Sequence, residues 1–364
     1  MSENLIYGAD ILGYGAVADG VTDCSDAFIK AIENGESLIV VPYGRYSIKK
    51  TVKLNSNTKI HLHPNAHILF DHESDENAPL FYAEGASSIE IHGGKLIVFD
   101  NHNKMVQKLI HFKNSNNIKI KKCDLSMFES TAVVFDSCEN VCVSECKIGN
   151  TCTNAFELLG NCSDITFKSS EVQAAFFLSI GNEQENCNLS SLSIRDIKLD
   201  VSRCIASFDS KICGVKCENI TGTIGWSFLT IDKKSKFEDA DFENIDIYST
   251  SSFTGNTKQA CFYFEGSVDG LEITGFKRNT DYEAVPFVPT LIFKASDDSK
   301  AIIDGMMLDN VINARALSKM VDMTTARLTN PTNKFIYTLE CGIKKNDTLT
   351  IPLGDFDSLT IYKR

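Results

Sequence analysis

No stretch of this chain approaches the ~18 consecutive apolar residues of a membrane-spanning helix, so no spanning segment is expected. A Lys/Arg-rich stripe is missing as well. The chain has 36 Lys and Arg against 48 Asp and Glu, a formal net charge of −12. Nucleic acid, whose binding rests on phosphate neutralisation, is therefore not an expected partner. A uronic-acid polymer would need its cations supplied locally. The 13 cysteines are odd in number and contain no C-x-x-C pair. Cys138, Cys142 and Cys146 are spaced four apart, as a helix would place metal ligands, but in a coil-and-strand chain they fall on different walls. Cys142, Cys217 and Cys261 occupy strand-like apolar positions. The cysteines thus read as small buried hydrophobes, and neither a metal nor a cofactor is expected. The opening MSENLIYGAD lacks the positive start and apolar run of a signal peptide. Together with reduced thiols, this implies a cytoplasmic or virion-associated protein, secreted only if a leader was removed.

Helical patterning is scarce too. It is clear only in SDAFIKAIENG, with Ser25 as the expected N-cap and Gly35 as the stop. Repetition, by contrast, is abundant. An apolar-x-apolar unit recurs at Ile89/Ile91, Ile118/Ile120, Val141/Val143, Ile165/Phe167, Leu192/Ile194, Val215/Cys217, Ala240/Phe242 and Leu271/Ile273, at intervals that vary little. Between these rungs lies a second ladder: Phe112, Phe135, Leu158, Ile180, Phe208, Ile231 and Phe264. Polar turns such as NSNN, DSCEN and GNCSD separate the two. A strand of three or four residues cannot bury a core alone. Stacked at ~4.8 Å per coil, each rung pairs with the next and the inward residues form columns. Leucine-rich repeats share the period but need a leucine-and-asparagine consensus, which is absent.

The pattern predicts an all-β, right-handed parallel β-helix with coils of ~22–30 residues. One domain is expected over residues 1–364, with an N-terminal cap including the helix and first coils over 1–70, regular coils over 71–285, and late coils plus a C-terminal β cap over 286–364. IYTLECGIKKNDTLTIP in the last stretch reads as a hairpin.

Several motifs carry a resemblance. Tyr14-Gly15-Ala16, then Asp19-Gly20-Val21-Thr22-Asp23, a short helix, Val40-Val41-Pro42-Tyr43-Gly44-Arg45-Tyr46 and an ILF run occur in that order. This segment resembles the N-terminal signature of the pectate-lyase-3-like and polygalacturonase-like β-helix superfamily. The superfamily includes family 28 glycoside hydrolases, lyases, epimerases and tailspike depolymerases, so the resemblance implies a polysaccharide and not one reaction. Polygalacturonases carry N-T-D, D-D, G-H-G and R-I-K motifs. The corresponding coils here read NTCTNAFEL, VQAAFFLSIGN and RCIASFDSK. Asn150-Thr151 is kept, the aspartates and histidine are gone, and Arg203 and Lys211 echo R-I-K loosely. Inverting hydrolysis by that constellation is not expected.

If the second ladder points inward, the preceding residues form an exposed stripe: His111, Val134, Glu157, Ser179, Ser207, Thr230 and Tyr263. Lys113, Asp136, Asp209, Asp232 and Glu265 lie just beyond the rungs, and Phe177 and Trp226 are expected to flank the wall. Glu157 stands between Phe156 and Leu158, which is sensible only on a wet face. It reads either as an exposed sheet position or as an acid, base or substrate-binding carboxylate. Asp136, one coil earlier and two positions along, would lie at the separation of an inverting pair. The candidate catalytic residues are Glu157, Asp136 and Asp209. Substrate binding is assigned to His111, Lys113, Arg203, Lys211, Trp226, Asp232 and Tyr263. His61 and His63 share a strand face that could bind a metal, but no third ligand is evident, and with His67 they read as edge-strand histidines beside the cap. The Asn-rich turns read as stacked ladders. Two functions stay open: a glycoside hydrolase or lyase with its groove along the Glu157 wall, and a non-catalytic glycan-binding or structural β-helix such as a phage receptor-binding part. The partner in either is an oligo- or polysaccharide, and a homotrimer of the tailspike kind is compatible with both.

Overall fold

A computed structural model describes residues 8–71, 78–98, 108–126 and 131–249, without the side chains of 150–152 and 249. Beyond 249 it describes Gly266 and the backbone of strands between Phe262 and Tyr362. The chain is a right-handed parallel β-helix of about eight turns. It divides into two compact units, Met1–Ala175 and Phe176–Arg364.

The first unit has three parallel walls. One is built by Phe81–Glu84, Lys108–Lys113, Thr131–Asp136 and part of Lys147–Ile180. The second stacks Leu38–Val41, Lys59–Leu62, Ser87–His92, Asn116–Lys121 and Glu139–Ser144. The third stacks Gly44–Ile48, Ala66–Phe70, Lys95–Val98 and Asp124–Ser126. The first repeat ladder keeps its expected register: Ile89 opposes Ile118, Ile118 opposes Val141, and Val141 opposes Ile165. All four are buried. Phe112 and Phe135 stack at 5.7 Å on the inner face of the first wall. Each such side chain contributes about 1.5–3 kcal/mol by leaving water.

The corners explain the cysteines. Five of the described corners open on a left-handed residue, namely Asn114, Lys122, Ser137, Glu145 and Ser169. The next residue is Ser115, Cys123, Cys138, Cys146 or Ser170, and its hydroxyl or thiol donates to the carbonyl two residues back. A small side chain with one donor fits this buried corner, and Cys and Ser serve alike. Cys138 and Cys146 are therefore corner residues. Cys142 lies on the outer face of the strand between them and is half-buried, contrary to the reading of it as a core residue.

The asparagines do form ladders. Asn140 donates to Asn117 at 2.6 Å, Asn219 to Asp196 at 3.1 Å and Asn244 to Asn219 at 3.4 Å. All five residues have positive φ, which Asn and Asp tolerate. The helix is Ser25–Glu33, covering the core with Phe28, Ala31 and Ile32. Cys24 is its N-cap, and Ser25 is the first helical residue rather than the cap. Asp23 Oδ1 accepts the Ser25 N–H instead. Gly35 stops the helix, as expected, at φ 79°.

In the second unit Cys187–Ser207, Lys211–Ile231 and Lys236–Ser249 pair in parallel. Parallel pairing continues through Leu291–Phe293 to Val321–Met323. The expected hairpin is displaced. Ile336–Glu340 pairs antiparallel with Arg327–Thr329, while Thr348–Pro352 pairs with Ser358–Tyr362. No helix among the described residues is long and apolar enough to cross a membrane.

Candidate functional site

In the first unit the outer face of the first wall aligns Tyr82, His111, Val134 and Glu157. The predicted register holds there, but the face is not wet throughout. Val134 is 2% exposed, while His111 and Glu157 are half-buried. His111 packs edge-on against Tyr82 at 5.5 Å, and its Nε2 is buried without a hydrogen-bond partner among the described residues. Burial, with Lys108 adding repulsion, pushes its imidazole down to about 4, so it is neutral near pH 7.

Asp136 is 5% exposed. Its Oδ2 is 3.1 Å from Lys113 Nζ, and Ser137 Oγ donates to Oδ1 at 3.0 Å. This carboxylate is occupied by its neighbours, and the cation expected to meet substrate, Lys113, is the ion that balances it. A sequence offset predicts separation along the wall but not which charges close on one another.

The second unit departs from the expected register. Leu192 opposes Val215 and Val201 opposes Ile224, at one constant offset. After a bulge, Arg203 opposes Ser227 and Ser207 opposes Ile231, an offset longer by a single position. The inserted residue moves Ser207 into the inward column assigned to Phe208, because a slip of one residue exchanges the faces of a strand. Phe208 is half-buried beyond the rung. Ser207, Ser179 and Thr230 are 1%, 4% and 8% exposed, so the exposed stripe is not continued by these residues.

The same bulge places Trp226 beside Arg203. The Arg203 guanidinium lies 4.9 Å from the Trp226 ring centre and 5.2 Å from that of Phe176. Phe177, expected on this wall, is buried at 0% exposure; Phe176 takes the place. Trp226 is 44% exposed. No ion pair of Arg203 occurs among the described residues. Burial lowers its pKa from the ordinary arginine value. A partly desolvated cation is costly to keep unless neighbours compensate, and here two ring faces do so. Gly222 and Gly225, breaking a β-branched run, are the sequence signal for this bulge.

The remaining candidates disperse. Asp209 opens a corner at φ 46° and pairs with Lys234 at 3.2 Å. Asp232 Oδ1 accepts from the Ser235 and Asp209 amides, as a turn cap. Lys211 is exposed and stands opposite Lys236. The Tyr263 backbone lies opposite Thr230, and its side chain is outside the described residues. Cys261 and Glu265 are also outside them. His61 pairs with Glu90 at 2.9 Å, and His63 packs against Tyr43. Among the described residues no three His, Cys, Asp or Glu converge as metal ligands.

A family model described as rhamnogalacturonase A/epimerase, pectate lyase-like, matches residues 9–199. The preneck appendage protein of Bacillus phage PZA is 48% identical over 52 residues, which are 14% of this chain and 6% of that protein. The chain thus matches a small part of that relative's length. Among solved structures, the family 28 exopolygalacturonase of Yersinia enterocolitica superposes with a TM-score of 0.58 at 12% identity, over 86% of this chain and 73% of that one. PfbA, a surface adhesin of Streptococcus pneumoniae, does so with a TM-score of 0.58 at 12% identity, over 98% and 99%. At such identities the structural likeness is one of fold.

Proposed function

This chain belongs to the rhamnogalacturonase A/epimerase, pectate lyase-like family, and from that premise we propose that it binds a polysaccharide strand without cleaving it. The observation that carries this reading is the Phe176–Arg203–Trp226 stack. The exposed part of the indole offers a flat apolar face for a sugar ring, and the guanidinium offers planar donors for hydroxyl or acid groups. The bracing rings hold the guanidinium in place, so little side-chain entropy is lost when a ligand arrives.

Support for binding over cleavage comes from the carboxylates. Glycoside hydrolysis needs two of them facing the same bond, one kept protonated. Asp136 is buried against Lys113, Asp209 pairs with Lys234, and Asp232 caps a turn. The family membership supports a polysaccharide-related β-helix.

The test screens the purified chain against acidic and neutral polysaccharides, reading binding, new reducing ends and absorbance of unsaturated uronates. Binding without product is expected. Trp226→Ala and Arg203→Ala should each weaken it by about tenfold or more, the range of a central contact. Asp136→Asn and Glu157→Gln should leave it unchanged. Any released product, or binding indifferent to both Trp226 and Arg203, would overturn the reading.

A further inference from the structure

The second wall of the first unit carries a groove of about 470 Å³ lined by Lys59, Ser88, Glu90, Asn117, Lys119 and Asn140, among others. It shares no residue with the stack around Arg203 or with the candidate residues of the first wall. Its charged side chains form one column on successive coils: Lys59 opposes Glu90, and Glu90 opposes Lys119. At ~4.8 Å per coil the two lysines are about 10 Å apart along the solenoid, with the carboxylate between them.

No ion pair closes within this column among the described residues. Glu90 Oε1 meets His61 Nε2 at 2.9 Å. At the adjoining corners Lys121 and Lys122 both pair with Glu145. Neither Lys59 nor Lys119 takes part in an ion pair among the described residues, and both are exposed. In a chain of net charge −12, two exposed lysines against one carboxylate leave this groove a local excess of positive charge for an acidic ligand. His61 engages one oxygen of Glu90, and its own Nδ1 is buried without a hydrogen-bond partner among the described residues. Amides of Asn117 and Asn140 form one rim.

We propose that this groove is a second glycan site, taking a linear oligosaccharide whose acidic groups flank a neutral, hydroxyl-bearing sugar. The alternation is read from the column. Each lysine meets an acidic group, and the central Glu90 accepts a hydroxyl, which is its natural complement. An acid on every sugar would place one carboxylate against Glu90. A phosphate chain without hydroxyls would be repelled there and would leave the carboxylate unsatisfied. Only the ligand class rests on the glycan-binding reading above; the residues are independent of it.

The experiment titrates the full chain by calorimetry with hyaluronan hexasaccharide, in which acidic and neutral sugars alternate. Hexagalacturonate, maltohexaose and polyphosphate serve as comparisons. The alternating probe should bind best. Lys59→Ala with Lys119→Ala should weaken it about tenfold or more and reduce its salt dependence. Glu90→Gln should narrow the preference over hexagalacturonate. Lys50→Ala with Lys147→Ala, which removes two lysines paired elsewhere, should change nothing. Urea midpoints verify that each variant is folded. Equal binding of hexagalacturonate or polyphosphate, or indifference to the Lys59/Lys119 double variant, would overturn the proposal. Since Arg203→Ala and Trp226→Ala are titrated separately, loss of the first reading leaves the alternating probe bound here. Loss of this one leaves the Trp226-dependent binding intact.

Discussion

His111 illustrates how one residue on a solenoid wall becomes a pH-dependent element. Its neighbours along the column are Tyr82 and Val134, and its Nε2 has no hydrogen-bond partner among the described residues. Burial favours the neutral ring and lowers the pKa from 6.5 to about 4. The unfolded chain therefore takes up this proton first as pH falls. Stability attributable to the group is present above about pH 6.5, declines down to about pH 4 and is level below. His111→Gln should flatten that part of a urea-midpoint profile across pH 4–7; an unchanged slope would assign the acid sensitivity elsewhere. Asp136 shows the same dependence on surroundings. Its sequence offset suits catalysis, but in the folded chain the carboxylate is held by a lysine on the adjacent coil and by the next serine.

At the scale of the element, the bulge between the Val201–Ile224 and Arg203–Ser227 rungs governs the second unit. One additional residue turns Ser207 inward and brings Trp226 onto Arg203. Gly222 sits just before it at φ 127°, and a Cβ there would press on the Leu199 carbonyl and amide of the neighbouring coil. Both the backbone conformation and the space exclude a side chain. Gly222→Ala is expected to destabilise the chain by about 2–4 kcal/mol, the range of backbone strain joined to overpacking. Chemical denaturation measures this, and a loss under about 0.5 kcal/mol, the level of an ordinary surface change, would mean that the bulge is tolerant. The first unit keeps its ladder without such a device, and there the sequence offsets match the pairing.

For the whole molecule, the cysteines report how the solenoid is closed. Eight of the ten described cysteines are buried, and Cys142 and Cys213 are the half-buried remainder. Burial raises the Cys138 thiol to about 12 and pushes Cys204 and Cys217 upward as well. A thiol reacts as its thiolate, so these are doubly protected. Labelling the native chain with Ellman's reagent, followed by peptide mapping, should find Cys142 and Cys213 modified before the other eight. Early modification of Cys138 or Cys204 would show that the coils open locally well below global unfolding.

The amino-acid sequence by itself determined the coil. Apolar alternation, corner residues that accept positive φ and a capping helix are local properties, and a fold made of stacked near neighbours is legible from local properties. It also determined which residues face out on the first wall, because Phe112, Phe135 and Leu158 follow one another without insertion. The tertiary structure alone decided which outward residues are wet and which charges pair. Period 2 distinguishes two faces but does not measure what covers them, as buried Val134 and Asp136 show. Nor does it register one inserted residue, which exchanged Ser207 for Phe208 and set Phe176 rather than Phe177 against Arg203. The Lys59–Glu90–Lys119 column was hidden for the same reason. Its members stand a full coil apart in the sequence, and only coil stacking makes them neighbours.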